Sequence, residues 1–553
     1  MSASNQTGRG RAREHSSTIH ALRCSHGALP GSAAAMPTPR LGLVSTRHRF
    51  ATSTAANLAR GLAPAAMFAL LPISLAALLP RANFTAWALA ISLTSYVVVF
   101  QAGVQQAVIA AAGRARDSEP QEEVALPLAA ALQFLAPLLL TASILALAIA
   151  VFARYLFPAI PHELLWEFQI CFLSVYVASL ASSVSTIIWG HAIGTGAFGT
   201  VLIAVIAGAA ISFVATIAVA AATSNIAAMG LAFAVPNVLS VPLQASAAQL
   251  KLKHFALRFR DRRRRYRRGY REAAKTLVFW SLGGLMVTGL DGSVVGRLDF
   301  QHAGVYMLIA TVVTVLISGL GSWQSSFLAQ AHRQYGSSGF SVVGRVARIA
   351  MVIYIVSACV AAFPVWLLAG HLFSGGDLRL AYTIYIVLIS ANILRLFTAP
   401  VILTSLAARR YDRLILPALL EGLVNLAMSV VLCATVGAIG VAFGTLIGAV
   451  VSFVVLIGYT LQGAAWTELD LARFVREGLT RPATFLVGPV ALSVLAPLMI
   501  IEPAPAVVTQ IAAAVLSVWV AWRLCMMEED RNFVRGIARR LRLSAVLRSR
   551  PQG

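Results

Sequence analysis

Fourteen long apolar stretches divide this chain, and nearly all of its positive charge falls in alternate gaps between them. The stretches lie at 57–79, 85–112, 125–152, 166–189, 197–222, 227–249, 276–298, 303–327, 347–370, 379–404, 414–434, 438–460, 483–501 and 505–526. A helix needs about 20 apolar residues to cross roughly 30 Å of hydrocarbon at about 1.5 Å per residue. No stretch shows sustained period-two alternation, so helices are expected rather than the strands of a membrane barrel. Composition agrees: 58% of residues are hydrophobic, 12% are charged, and mean hydropathy is +0.79. The fold class expected is an all-α polytopic membrane protein with about 14 transmembrane helices. Pro64, Pro72, Pro236 and Pro242 interrupt two of the stretches, which membrane helices tolerate when neighbours satisfy the freed carbonyls.

Orientation follows from the basic residues. Of 44 Lys and Arg, alternate gaps on one side hold only Arg81, Arg154, Arg297 and Arg379. Arg395 lies within a stretch, and the remaining 39 fall on the other side. Both termini are therefore expected to be cytoplasmic. The net charge of +23 is accounted for by this topology, and nucleic-acid binding, which needs a soluble basic domain, is not expected. The heaviest run, Arg258–Arg271, reads RFRDRRRRYRRGYR. It suits a topological anchor and linker, or a patch attracting anionic membrane lipids. The tail from Arg531 to Arg550 suits an interfacial amphipathic helix. Residues 1–55 read as a disordered basic cytoplasmic segment without a signal-peptide core, and Met36 offers an alternative start.

Enzymatic chemistry has no foothold in the sequence. The five cysteines lack metal or redox spacing, the histidines form no HExxH, and no GxSxG or P-loop occurs. No catalytic residue, metal site or cofactor is expected. The outer gaps are too short to build the external domain that a membrane glycan polymerase or ligase would need.

The two halves echo each other. Residues 84–103 compare with 302–321, which sets Ala86 against Gly304 and Gly103 against Gly321. Residues 227–234 (AAMGLAFA) compare with 437–444 (GAIGVAFG). Six spans per repeat return the chain to the same side, so the halves are related by an axis along the membrane normal. The expected organisation is a six-helix bundle at 56–250, a basic cytoplasmic linker at 251–275 and a second parallel bundle at 276–460. A cytoplasmic loop with two extra helices at 461–526 and a basic cytoplasmic tail at 527–553 follow.

The stretch Asp291-Gly-Ser-Val-Val-Gly296, followed by Ala303-Gly304-Val-Tyr306, resembles the seventh-to-eighth-helix signature of polysaccharide (O-antigen/exopolysaccharide) flippases. These belong to the multidrug/oligosaccharidyl-lipid/polysaccharide exporter superfamily. Asp299 and Ala86 stand where that pattern usually has glycine. The resemblance implies a flippase in a bacterial inner membrane that moves an isoprenoid-pyrophosphate-linked oligosaccharide to the outer leaflet for surface polysaccharide biosynthesis. Membrane lipids and other polysaccharide-assembly proteins are its implied partners. A multidrug or peptidoglycan-precursor exporter of the same superfamily is the alternative.

Such cargo needs a wet, cation-bearing cleft, because burying an uncompensated anion costs several kcal/mol. Charges inside spans are the candidates. Arg395, beside Asn392, suits a phosphate, and Glu421 sits at similar depth in the next span, so the two also suit a structural pair. Asp291 suits a proton or sodium coupling site, or a bond to Arg297 or a backbone amide. Arg60 suits either phosphate contact or snorkelling to the interface. Gln101, Gln105 and Ser322 suit sugar hydroxyls or interhelical bonds. Trp87, Trp189 and Trp323 suit interfacial anchoring or stacking on sugars.

Overall fold

The computed structural model describes residues 70–94, 125–196, 198–248, 285–335, 340–407, 412–461, 475–499 and 503–532, with single residues and pairs between them. Every regular element among them is helical. In chain order these are α1 (Arg81–Leu93), α2 (Leu126–Val151), α3 (His162–Thr195), α4 (Phe198–Thr223) and α5 (Ile226–Ala247). The second half contributes α6 (Asp291–Leu298), α7 (Phe300–Tyr335), α8 (Phe340–Leu372), α9 (Gly376–Ala407), α10 (Asp412–Val436) and α11 (Ala438–Leu461). α12 (Arg481–Met499) and α13 (Pro503–Val520) follow, and π turns lie at Leu285–Gly289, Arg476–Thr480 and Ala521–Cys525.

Among the described residues eleven helices are long and apolar enough to cross a membrane, against the fourteen expected. The difference falls on 57–79, 85–112 and 276–298. They are represented by a helical stretch at 70–78, by α1, and by the first π turn with α6. Apart from single residues and pairs such as Gln105 and Gly283, the remainder of those spans lies outside the described residues, as do segments 1–55 and 251–275 and the tail beyond 535. The prolines at 236 and 242 do not break α5. There Ser212 Oγ and Asn237 Nδ2 both donate to the Phe233 carbonyl, at 2.8 Å each.

Helix faces sort by size rather than polarity, as lipid requires, since tails are as apolar as leucine. In α2, Ala142, Ala146 and Ala150 turn inward while Leu140, Ile144, Leu147 and Val151 are exposed. In α11, Gly444 sits against Ser429 of α10 and Gly448 against Asn425. A side chain at either glycine would collide with α10, so the small residues let the two backbones approach. Gly422 of α10 likewise rests on Gly283 and Met286. This glycine-mediated closeness puts Glu421, Asn425 and Ser429, which share one face of α10, beside α11 and the first π turn.

Gly304 of α7 lies against Phe84 and Thr85 of α1, and Ala86 is fully buried. At this end of the bundle, Arg81 holds Asp377 at the start of α9 with both nitrogens, 2.8 and 3.3 Å, and donates to the Gln301 carbonyl. Asp299 accepts from the Ala438 amide at the start of α11 and bonds His302. At the opposite end, buried Arg348 of α8 pairs with Asp530 and Glu477, tying α8 to the segments around the last two spans.

Candidate functional site

Between α1 of the first half and α6, α7, α9 and α11 of the second lies a cavity of about 480 Å³. That is within the roughly 300–1,000 Å³ typical of small-molecule sites. Its wall is largely apolar, with polar groups from Ser92, Asp291, Thr311, Asn392, Arg395 and Thr445. Two of the intramembrane charges singled out in the sequence, Arg395 and Asp291, thus line one cavity.

Asp291 is the first residue of α6, which continues directly from the π turn. Its carboxylate is buried and accepts three hydrogen bonds: from Tyr306 Oη at 3.0 Å, Thr445 Oγ1 at 3.0 Å and Asn425 Nδ2 at 3.2 Å. Asn425 also donates to the carbonyls of Met286 and Val287, at 2.9 and 3.1 Å. Those carbonyls belong to the π turn, a distortion that interrupts the regular helical ladder and recurs at functional sites. One asparagine therefore joins the π turn to a buried acid.

Arg395 of α9 donates from Nε to Glu421 Oε1 at 2.5 Å, and its terminal nitrogens reach Asn392 Oδ1 and the Thr445 carbonyl at 3.4 Å each. Thr445 stands between the two charges, with its hydroxyl on Asp291 and its carbonyl facing Arg395. Arg395 also lies within electrostatic reach of the Asp291 carboxylate. The described centre is a linked set: one guanidinium already engaged by one carboxylate, and a second carboxylate held by neutral donors.

The structure brings together Arg395, Asn392, Asp291 and Glu421. It does not pair Asp291 with Arg297. The Arg297 guanidinium instead donates to the Tyr155 and Leu156 carbonyls, at 3.0 and 2.6 Å, because it sits at the far end of α6. Gln105 is half-buried and packs beside Gly190 of α3, off the cavity wall. Arg60, Gln101 and the side chains of Ser322 and Trp323 lie outside the described residues. Trp87 and Trp189 are both buried within the bundle, and Trp87 lines the cavity. Asn425 and Thr445 were not singled out in the sequence. The signal for Asn425 was its place four residues after Glu421 on α10; Thr445 carried none.

No known protein family matches the chain by sequence, and neither does any curated protein. Solved structures do match in three dimensions. One is the lipid II flippase MurJ in an inward closed conformation, at TM-score 0.57 and 14% identity, covering 86% of this chain and 98% of that one. A second is an inward-facing multidrug resistance MATE family transporter of the MOP superfamily, at TM-score 0.56 and 11% identity, covering 74% and 100%. The eukaryotic MATE transporter AtDTX14 matches at TM-score 0.53 and 14% identity, covering 79% and 99%. The chain has the fold of MOP-superfamily transporters. It is a multi-pass membrane protein whose structural neighbours are transporters and flippases. At these identities the likeness is one of fold, and the reading of cargo rests on the site.

Proposed function

We propose that the protein is a flippase that carries an isoprenoid-pyrophosphate-linked oligosaccharide from the cytoplasmic to the outer leaflet of a bacterial inner membrane, by alternating access. Surface polysaccharide assembly is the use this implies. The observation that carries the reading is the guanidinium of Arg395 on the wall of a cavity bounded by both halves. A pyrophosphate cannot cross hydrocarbon unaccompanied, and an arginine fork meets phosphate oxygens in pairs. Asn392 beside it supplies an amide for the same group. Glu421 holds the guanidinium between visits, so the buried charge is compensated when cargo leaves.

Asp291 supplies the coupling in this reading. With Asp291 ionised, its charge opposes an anionic headgroup arriving at Arg395. A proton or sodium ion on Asp291 removes that opposition, which links cation binding to cargo binding. The neutral donors around Asp291 hold the carboxylate in place in either case. The Arg81–Asp377 clasp is, in this topology, the closed outer side.

The test is flipping in reconstituted vesicles. Undecaprenyl-pyrophosphate oligosaccharide, the peptidoglycan precursor lipid II and a cationic drug are offered to the wild type and to Arg395→Ala. Movement of the oligosaccharide substrate that Arg395→Ala abolishes supports the proposal. Movement of only the drug, or transport indifferent to Arg395, overturns it.

A further inference from the structure

The clasp at the outer end of the bundle continues beyond Arg81 and Asp377. His302, in the first turn of α7, is set between two carboxylates. Its Nδ1 lies 2.8 and 3.0 Å from the two oxygens of Asp299, and its Nε2 lies 3.7 Å from Asp377 Oδ1. Asp299 is anchored on its other side by the Ala438 amide of α11, at 3.0 Å. Asp377 is held on its other side by Arg81, whose Nη2 reaches the same Oδ1 at 3.3 Å. Asn83, two residues on in α1, donates to the Ser224 carbonyl between α4 and α5. His302, Asp299 and Asp377 therefore belong to the second half, and Arg81 is the cation that the first half brings to them.

The charge on the ring decides how firmly Arg81 is held. A neutral imidazole carries one N–H, and with that proton on Nδ1, toward Asp299, its Nε2 presents only a lone pair to Asp377. Arg81 is then the sole cation on that carboxylate among the described residues. An imidazolium donates from both nitrogens, so it competes with Arg81 for Asp377 Oδ1 and adds a like charge beside the guanidinium. The three residues of the second half carry two negative charges with the ring neutral and one with it protonated. On α10 the buried Cys433 thiol is within electrostatic reach of Asp299 and adds no cation. The His302 side chain is 32% exposed, so protons from the adjoining water reach it. Asp299 stands where the flippase signature usually has glycine, which makes this arrangement particular to the chain.

We propose that His302 is a proton-operated release for the outer clasp: protonated from the outer side, it takes over Asp377 and lets Arg81, and with it α1, move away. Proton binding at His302 and seating of Arg81 oppose each other, so by linkage acid outside favours the open outer end. The inference deepens the alternating-access reading and rests on its orientation in the membrane.

The experiment follows the outer end by the distance between spin labels at Ala222→Cys, after α4, and Ser374→Cys, before α9. A Cys24→Ser background is used, the other four cysteines being buried. The protein is in lipid nanodiscs without cargo, at pH 8 and pH 5.5, a range across which histidine ordinarily changes charge. The open fraction is expected to rise about two- to fivefold at pH 5.5, the effect of a partly exposed ion pair. His302→Gln should remove that rise, His302→Lys should give the open fraction of pH 5.5 already at pH 8, and Asp291→Asn should leave the rise intact. An open fraction indifferent to pH in the labelled protein with His302 intact, or a rise that His302→Gln retains, overturns the release. A rise that only Asp291→Asn abolishes assigns it to the cavity and also overturns the release. Labelling of Ser374→Cys in intact cells by a membrane-impermeant maleimide is expected. Labelling only after lysis overturns the orientation, and with it the direction of transport proposed above, whatever the clasp does with pH.

Discussion

The described helices before residue 250 and those after residue 285 differ in what they bury. Between residues 168 and 250 the first half has no Asp, Glu, Lys or Arg. Its interior polarity is neutral: Ser185 donates to Gln244, Gln244 to Ser240, and Asn237 to Ser212, over 2.5–3.1 Å. The second half places Asp291, Arg395 and Glu421 at comparable depth. Neutral side chains satisfy one another across helices at a gain of about 0.6 kcal/mol each, and serve packing. Charges cost at least about 2.5–3.5 kcal/mol at mid-membrane, and persist where they are paired or used. The asymmetry therefore concentrates buried charge in one part of the described residues, while α1 contributes Trp87 to the cavity wall.

That contrast can be broken most directly at Arg395. Arg395→Ala is expected to lower flipping at least about a hundredfold, since removing one member of a buried pair costs roughly 3–5 kcal/mol. Gln244→Ala in the first half should change the same rate less than about threefold. Adding Glu421→Ala to Arg395→Ala should recover thermal stability without recovering transport. Recovery of transport would reduce Arg395 to a structural partner.

Next in size is the packing that assembles the charged half. Gly444→Val should destabilise the protein by about 1–3 kcal/mol through collision with Ser429. Gly458→Val, with open space around it, should leave the melting temperature unchanged. Equal behaviour would remove the small-residue stripe as the reason that Asn425 and Thr445 meet.

Asp291→Asn sharpens the coupling side. It keeps the shape and hydrogen bonding and removes the charge, so transport should lose its dependence on the proton or sodium gradient and slow by about 5- to 150-fold. Unchanged gradient dependence would end the coupling role. The smallest effect is expected in the neutral half: Ser185→Ala loses one bond to Gln244, worth about 0.6 kcal/mol, and should leave flipping intact. A large transport defect there would show that the first half is more than a scaffold.

Part of the site was legible in the sequence. Arg395 and Glu421 lie at similar depth on consecutive spans, and consecutive spans run antiparallel, so their pairing followed from counting residues. The alternative of an Asp291 bond to Arg297 is not realised, because the two occupy opposite ends of a two-turn helix. The actual partners of Asp291 come from α7, α10 and α11. Nothing local marks them, since Asn and Thr in a membrane helix serve ordinary packing equally well. Trp87 was misleading for a related reason. Its place near a span end suits an interfacial anchor, and only the packing of α1 against α3, α6 and α7 buries it.

Sequence alone determined that this chain spans a bilayer many times, because the lipid solvent imposes its thickness on every apolar run and forces helices on the backbone. It also determined where intramembrane charge is found, because each such charge stands out against the apolar sequence around it. Tertiary structure decided which groups those charges meet and which half supplies the indole. Those contacts join residues as much as 154 positions apart, and they depend on how closely glycine and alanine faces let the helices approach.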